Sequence, residues 1–152
     1  MKSSIINALI IAALAGYLLY SGKYQLITGA LRYRLAPAKK TGVEWIEDYD
    51  EALLRARALK RPLFVLITAP SWCLPCQALD QSTLQNDELQ SLLNGRFVTL
   101  RLDDTNPDRR HFNFRAYPTI LLLSDEGQEQ RRFSGFVGAP ELIRSIGKTG
   151  ID

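Results

Sequence analysis

Apolar and polar positions divide the chain into one long apolar stretch near the N terminus and a later series of shorter segments. From Ile5 to Tyr20 there are sixteen residues, of which only Asn7 is strongly polar. This length is near the lower limit for a helix that crosses a membrane. The pattern therefore predicts a transmembrane signal anchor over residues 1–22, a basic juxtamembrane helix or linker over 23–42, and a folded domain over 43–152.

Two other interpretations of the apolar stretch remain open. A cleaved signal peptide would use Ala13-Leu14-Ala15 as its small-residue site, although this leaves an apolar core of only about eight residues. A helix buried in a protein core is the second alternative. The anchor is favoured because Tyr17, Tyr20 and Tyr24 would then lie at the level of the lipid headgroups.

The later segments alternate between helical and strand patterns. Asp48 to Lys60 has apolar residues at helical spacing and ends before Pro62, whereas Leu63 to Ile67 is a continuous apolar run, typical of a strand buried on both faces. The remaining predicted elements are a strand at Val43–Ile46, helices from Cys73 to about Gln85, from Asn86 to Asn94, from Asn106 and from Gly138, and strands at 97–102, 119–123 and 129–133. The order βαβαβαββα indicates an α/β sandwich with a parallel beginning and an antiparallel end.

Charge is distributed unevenly along the chain. Residues 1–40 carry six basic residues and no acidic one, whereas the remainder carries 13 basic and 16 acidic residues, a net charge of −3. The basic surplus lies beside the apolar stretch, where anionic lipid headgroups would attract it. The folded part lacks the basic footprint of a nucleic-acid binder. We therefore expect membrane lipid, and no nucleic acid, among the partners.

The only two cysteines are Cys73 and Cys76, within the run Ser71-Trp72-Cys73-Leu74-Pro75-Cys76. A disulfide across so short a loop stabilises a fold little and suits reversible redox chemistry better. If Cys73 caps a helix, both thiols lie on one face, about 5–6 Å apart at Cβ. Pro75 is tolerated because its missing N–H falls in the first helical turn.

A CxxC pair after a buried strand and at a helix start is typical of a redox motif. The free N–H groups of the first turn would stabilise a thiolate at Cys73 and lower its pKa. Cys73 is therefore predicted to be the attacking sulfur, and Cys76 the sulfur that resolves the mixed disulfide. The alternatives are a half zinc site, for which His111 is the only other soft ligand, a copper site needing further ligands, and two inert buried cysteines.

The chain resembles the thioredoxin superfamily, since Trp72-Cys73-Leu74-Pro75-Cys76 matches its WCxPC motif and Tyr117-Pro118-Thr119 matches its cis-proline signature. The similarity is tighter to membrane-tethered envelope members such as the C-terminal domain of thiol:disulfide interchange protein DsbD. It implies a thioredoxin-like three-layer sandwich, with a mixed sheet flanked by helices. It also implies a cis Pro118 against Cys73, a substrate strand docked along Tyr117, Pro118 and Thr119, and Trp72 packed beside the site.

The chain departs from the family in its proton handling. Thioredoxins carry a buried acid six residues before the first cysteine, and Ile67 stands there in this sequence. Asp80, four residues after Cys76, is similar in placement to an acid of the DsbD-like domains and could assist deprotonation; an exposed helix residue is the alternative. Among other candidates, His111 is predicted to be a surface side chain, Trp45 core or strand edge, and Gly135 a turn or bulge.

The function predicted from these features is a membrane-anchored thiol–disulfide oxidoreductase that reduces exported proteins through Cys73 and Cys76. It would take electrons from a redox partner and use no cofactor or metal. The alternative is a binding or assembly module with little redox turnover, for a membrane complex or cytochrome maturation.

The side of the membrane is predicted from two opposing signals. The positive-inside rule counts five basic residues after the apolar stretch against Lys2 before it, which favours a cytoplasmic domain. A redox dithiol suits an oxidising compartment, however, and a short basic start is typical of export signals. The domain is therefore predicted to face the periplasm or cell exterior, with a cytoplasmic position as the alternative.

Overall fold

The computed structural model describes Tyr17 and residues 42–148, and the latter stretch contains a sheet with helices on both faces. Residues 42–148 belong to a compact unit that runs from Thr41 to Asp152. The helices are α1 (Tyr49–Leu59), α2 (Leu74–Gln81), α3 (Asp87–Arg96) and α4 (Ala139–Lys148). The strands are β1 (Leu63–Ile67), β2 (Val98–Leu102), β3 (Thr119–Leu123) and β4 (Glu129–Ser134), and short 3-10 helices span Thr83–Gln85 and Pro107–His111.

The four strands lie in the order β2-β1-β3-β4. β1 pairs with β2 in parallel, with Leu63 opposite Val98, and with β3 in antiparallel orientation, with Ile67 opposite Thr119. β3 and β4 form the returning antiparallel hairpin. The predicted mixed sheet, parallel at its start and antiparallel at its end, is confirmed.

Two apolar cores cover the two faces of the sheet, because successive strand residues point to opposite sides. On one face, Ala52 and Ala56 of α1 pack with alternate strand residues such as Val65. On the other face, α2, α3 and α4 pack over Phe64 and Leu66. All five residues of β1 are fully buried, which explains its continuous apolar sequence.

Side-chain caps fix where the helices begin. Asp48 accepts a hydrogen bond from the backbone N–H of Glu51 at 2.8 Å, and Asn86 accepts one from Leu89 at 2.9 Å. Each cap satisfies an N–H group that has no partner within its own helix. The cap of α2 is the sulfur of Cys73.

The predicted strand at Val43–Ile46 is wrong as an element, because only Ile46 forms a bridge, to Leu100. The backbone N–H of Gly42 donates to the side chain of Gln90 at 3.0 Å, and that of Glu44 donates to the side chain of Asn94 at 3.1 Å. These groups are therefore bound by side chains of α3 instead of by a neighbouring strand.

Two helix boundaries also differ from the prediction. α2 ends at Gln81, and the chain continues as a 3-10 helix at Thr83–Gln85. In that segment the hydroxyl of Thr83 donates to the carbonyl of Val137 at 2.7 Å, which ties the segment to the loop before α4. α3 continues to Arg96, through the predicted stop at Asn94.

The predicted anchor and juxtamembrane segment lie outside the described residues, apart from Tyr17 and Gly42. Within the described part of the chain, no helix has the length and apolar character needed to cross a membrane.

Two leucines of α2 provide a matched test of the packing. Leu79 is fully buried among the residues of α3 and the sheet, whereas Leu74 is 75% exposed. Leu79→Ala should lower the free energy of unfolding by about 2–5 kcal/mol, because it removes buried methyl groups and leaves a cavity. Leu74→Ala should change it by less than about 0.5 kcal/mol. Denaturant unfolding of the oxidised protein measures both, and equal losses would contradict the assigned packing.

Candidate active site

The disulfide between Cys73 and Cys76 lies at the start of α2, with Cα atoms 5.2 Å apart. Cys73 is the N-cap residue, in extended conformation, and its Sγ accepts a hydrogen bond from the backbone N–H of Cys76 at 3.2 Å. Pro75 occupies the first turn, where a backbone N–H has no helical partner. An N–H group of the helix start is therefore already directed at the first sulfur.

The loop between β1 and α2 is held by a small set of hydrogen bonds. The N–H groups of Trp72 and Cys73 both donate to the carbonyl of Ala69, at 3.3 and 2.9 Å. From inside α2, the side-chain amide of Gln77 donates to the carbonyl of Pro70 at 2.9 Å. These contacts fix the turn that delivers Cys73 to the end of the sheet.

Exposure differs sharply between the cysteines and their neighbours. Cys73 is 5% exposed and Cys76 is fully buried, whereas Trp72 and Leu74 are 61% and 75% exposed. Large apolar side chains are usually buried in the folded protein. The exposed Trp72 and Leu74 on either side of Cys73 therefore form a surface suited to binding a partner. Phe136, in the loop before α4, is also 52% exposed.

The segment around Pro118 forms the other side of the site. The Tyr117–Pro118 peptide bond is cis, and Tyr117 packs against the cluster of Ala69, Cys73 and Cys76. Pro118 is buried, and its carbonyl accepts a hydrogen bond from the N–H of Gly135, which follows β4, at 2.8 Å.

Neighbours of Pro118 complete this arrangement. Gly135 has φ +87°, a conformation that favours glycine, and it serves the turn predicted for it after β4. The hydroxyl of Thr119 donates to the carbonyl of Ala116 at 2.7 Å and thereby closes the turn before β3. The backbone on both sides of the proline is therefore fixed by hydrogen bonds.

Asp104 holds the side chain of Trp72, which contacts the Pro118 side of the site, and no role for Asp104 was predicted from the sequence. The indole N–H of Trp72 donates to Oδ2 of Asp104 at 2.7 Å, and the Trp72 ring meets the Tyr117 ring edge-on with centroids 5.6 Å apart. Phe114 continues the series at 5.2 Å from Tyr117. An exposed tryptophan is thus fixed by a charged acceptor and a perpendicular ring.

The acidic turn that carries Asp104 is itself ordered by Asp103. The hydroxyl and backbone N–H of Thr105, together with the N–H of Asn106, donate to Oδ1 of Asp103 at 2.6–2.9 Å. These bonds, the hydroxyl one foremost, lower the pKa of the Asp103 carboxyl. The sequence signal was only an acidic pair after a strand, which is also common in ordinary turns.

Asp80 lies one turn beyond Cys76, and its carboxylate is directed to the sheet. Both of its oxygens accept hydrogen bonds from Arg101 of β2, at 2.8 and 2.7 Å, in a pair whose side chains are about one quarter exposed. Arg101 also lies over the ring of Trp45, 5.8 Å from its centroid. Asp80 is therefore part of a partly buried ion pair beside α2 and not the exposed helix residue of the alternative prediction, while its role in proton transfer stays a prediction.

The position that would hold the buried acid of thioredoxins is apolar. Ile67 packs in the core beneath α1. The adjacent Thr68 is fully buried, and its hydroxyl makes no hydrogen bond within the described residues. The hydroxyl of Thr68 is therefore the polar side-chain group that directly follows Ile67, the position of the thioredoxin acid, in the sequence.

Other predicted candidates take structural roles. The exposed ring of His111 stacks on Tyr49 with centroids 4.8 Å apart, which agrees with the predicted surface position. Trp45 is partly buried against Phe64, as predicted for a residue at the core or strand edge. Within residues 42–148 and at Tyr17, no three His, Cys, Asp or Glu side chains gather as metal ligands would.

Comparison with known proteins bears on both the fold and the site. The thioredoxin-like family matches residues 44–124. The thiol:disulfide interchange protein DsbD of Campylobacter jejuni strain RM1221 is 23% identical over 108 residues, covering 68% of this chain and 19% of that protein. The thioredoxin-related protein DsbJ of Chlamydia pneumoniae is 25% identical over 107 residues, covering 62% of this chain and 31% of that protein.

The fold is also similar to that of a solved structure. The DsbH oxidoreductase superposes with a TM-score of 0.61 at 18% identity, covering 74% of this chain and 90% of that one. The chain thus spans less than a third of the two relatives compared by sequence, whereas it spans most of the solved domain. Since the family match includes β1, the cysteine pair, Pro118 and β3, this chain belongs to the thioredoxin-like family.

Proposed function

We propose that this protein is a membrane-anchored thiol–disulfide oxidoreductase that reduces disulfides of exported proteins. The observation that carries the proposal is the Cys73–Cys76 disulfide at the start of α2, packed against Tyr117 and beside the cis Pro118. The relatives named as thiol:disulfide interchange and thioredoxin-related proteins support the same chemistry.

The reductive reaction follows from the positions of the two sulfurs. In the dithiol form, the thiolate of Cys73 attacks one sulfur of the substrate disulfide, and the other substrate sulfur leaves as a thiolate that takes up a proton. The N–H of Cys76, already bonded to Sγ of Cys73 in the disulfide, stabilises this thiolate. Cys73 is also the less buried of the two cysteines.

The second step regenerates the disulfide. Cys76 loses its proton and attacks Cys73 in the mixed disulfide, which releases the second substrate thiol. Two electrons pass to the substrate, and a dithiol partner must return them before the next cycle. Since Ile67 provides no carboxylate, Asp80 is our candidate to assist the deprotonation of Cys76 from one turn away.

The location is part of the proposal and rests on the sequence. The apolar stretch from Ile5 to Tyr20 and the basic residues that follow it support an anchor in an anionic membrane. A dithiol that works on exported proteins would face the periplasm or cell exterior.

Serine variants of the two cysteines test the chemistry. The full-length protein should reduce a disulfide-containing substrate protein with dithiothreitol as electron donor, and Cys73→Ser should abolish this activity because no attacking sulfur remains. Cys76→Ser expressed in cells, with no added reductant, should instead accumulate mixed disulfides with several proteins, visible on non-reducing gels. Unchanged turnover in Cys73→Ser would contradict the assignment, and failure of Cys76→Ser to trap any protein would favour a binding module.

Variants of Asp104 test the positioning of Trp72. Asp104→Ala removes the acceptor of the indole N–H, so kcat/KM for a protein disulfide should fall about three- to tenfold, as expected for loss of one solvent-exposed hydrogen bond. Asp104→Asn keeps an acceptor oxygen and should recover most of that loss. Reduction of a small aromatic disulfide, which needs little docking surface, should change less. If Asp104→Ala and Asp104→Asn lower kcat/KM equally, and by the same factor for the protein disulfide and the small disulfide, Asp104 acts through stability and not through docking.

The side of the membrane can be read from thiol labelling in intact cells. A membrane-impermeant maleimide should label Cys73 after brief treatment of the cells with a reductant, because the proposed domain faces outward. Exclusion of the reagent until the cytoplasmic membrane is permeabilised would place the domain in the cytoplasm and contradict the proposed location.

A further inference from the structure

A polar groove lies at the edge of the sheet beside the site. Its volume is about 300 Å³, and it is lined by Asn113 and Arg115 from the segment before Pro118 and by Arg132 and Ser134 from β4. β4 is the last strand of the described sheet, so the groove lies at the edge opposite β2. None of these four residues has a part in the redox chemistry described above.

Strand pairing places this groove at the same end of the sheet as the disulfide. Ser134 is opposite Thr119 on β3, and Thr119 is opposite Ile67 on β1. Ile67 ends β1, and the chain then enters the loop that carries the cysteines. Tyr117, which packs on the disulfide cluster, follows Arg115 by two residues, so their Cα atoms are at most about 7 Å apart.

The two arginines of the groove differ in their partners. Arg132 donates to both carboxylate oxygens of Glu129, at 2.8 and 2.6 Å, and to the carbonyl of Asn113. Its hydrogen bond also lowers the pKa of Glu129, so this charge is matched by a carboxylate at neutral pH. Arg132 therefore forms a fixed wall of the groove.

Arg115 provides the uncompensated charge. It is exposed and makes no hydrogen bond or ion pair with any other described residue. Arg109 and Arg110 lie upstream in the same segment, and residues 109–116 contain no acidic residue, although residues 41–152 together carry a net charge of −3. The segment is thus a local positive region on an otherwise mildly acidic domain.

We propose that this groove binds the carboxylate of an Asp or Glu side chain in the polypeptide that docks beside Pro118. The protein would then prefer disulfides with an acidic residue close to the attacked cysteine. The chemistry is complementary, since a free guanidinium, a side-chain amide and a hydroxyl can all donate to a carboxylate. This inference rests on the proposed function, because it names the class of substrate that the same site would select.

Two disulfide peptides that differ at one position test the preference. One peptide carries Glu two residues from a cysteine and the other carries Gln there, and kcat/KM is measured for the full-length protein with dithiothreitol as donor. The Glu peptide should be favoured about three- to tenfold, the range expected of one partly exposed charge-assisted contact. The preference should shrink as salt is raised.

The variant Arg115→Gln should lower kcat/KM for the Glu peptide to the value for the Gln peptide and leave the Gln peptide unchanged. Arg144→Gln, which alters an exposed arginine of α4, is the matched control and should leave both peptides unchanged. If both peptides are reduced, and at equal rates, by the unsubstituted protein, the proposal is overturned. An equal loss for both peptides in Arg115→Gln would also overturn it.

A binding measurement separates this proposal from the redox function. Fluorescent versions of both peptides with serine in place of cysteine are titrated with the protein, and their affinities are read from anisotropy. If neither disulfide peptide is reduced, the proposed function fails, while an Arg115-dependent preference for the Glu peptide still supports the groove. Equal affinities for the two peptides would overturn the proposed carboxylate site. If the peptides bind equally and glycerol 3-phosphate binds in an Arg115-dependent way, the groove would be assigned to anionic lipid instead.

Discussion

The antiparallel pairing of β1 with β3 is the constraint on which the site depends. It places Thr119 opposite Ile67, and thereby brings the segment before β3 to the end of the sheet from which the cysteine loop departs. Tyr117 lies 44 positions after Cys73 in the sequence, yet it packs on the disulfide cluster. All ten positions of these two strands are buried, so a shift by one residue would move apolar side chains away from their own core.

The site combines a rigid interior with an exposed rim. The two sulfurs are almost completely buried, and backbone hydrogen bonds to Ala69 hold their loop against the sheet. Trp72 and Leu74 remain largely in water at the rim. Such a division suits a protein that must bring a foreign disulfide to a shielded sulfur, because apolar contacts at the rim can bind the substrate without moving the loop.

Polar contacts around this rim come from elements distant in sequence. Asp104 fixes Trp72 from the loop after β2, and Arg115, which has no partner among the described residues, lines the groove at β4. Asp80 and Arg101 form a partly buried pair next to α2. Thioredoxins have a buried carboxylate in the strand before the cysteines, and Ile67 stands at that position here. The apolar Ile67 at the position of that carboxylate bears on proton transfer more than on the fold, since it packs in the core beneath α1.

The sequence by itself determined most of the secondary structure and the redox pair. Continuous apolar runs predicted β1 and β3 because both faces of those strands are buried, and apolar residues at helical spacing predicted α1 because one face of that helix packs on the sheet. The resemblance to thioredoxins indicated Pro118 as part of the site, which strand patterns alone could not. Only the tertiary structure decided what depends on distant partners. Segment 43–46 makes one bridge instead of a strand, since a side chain of α3 binds the N–H of Glu44 and only Ile46 pairs with β2. Asp80 pairs with Arg101, and Asp104 accepts the indole N–H of Trp72. A local pattern records burial and capping, whereas the partner of an ion pair or an indole N–H is set by how the elements pack.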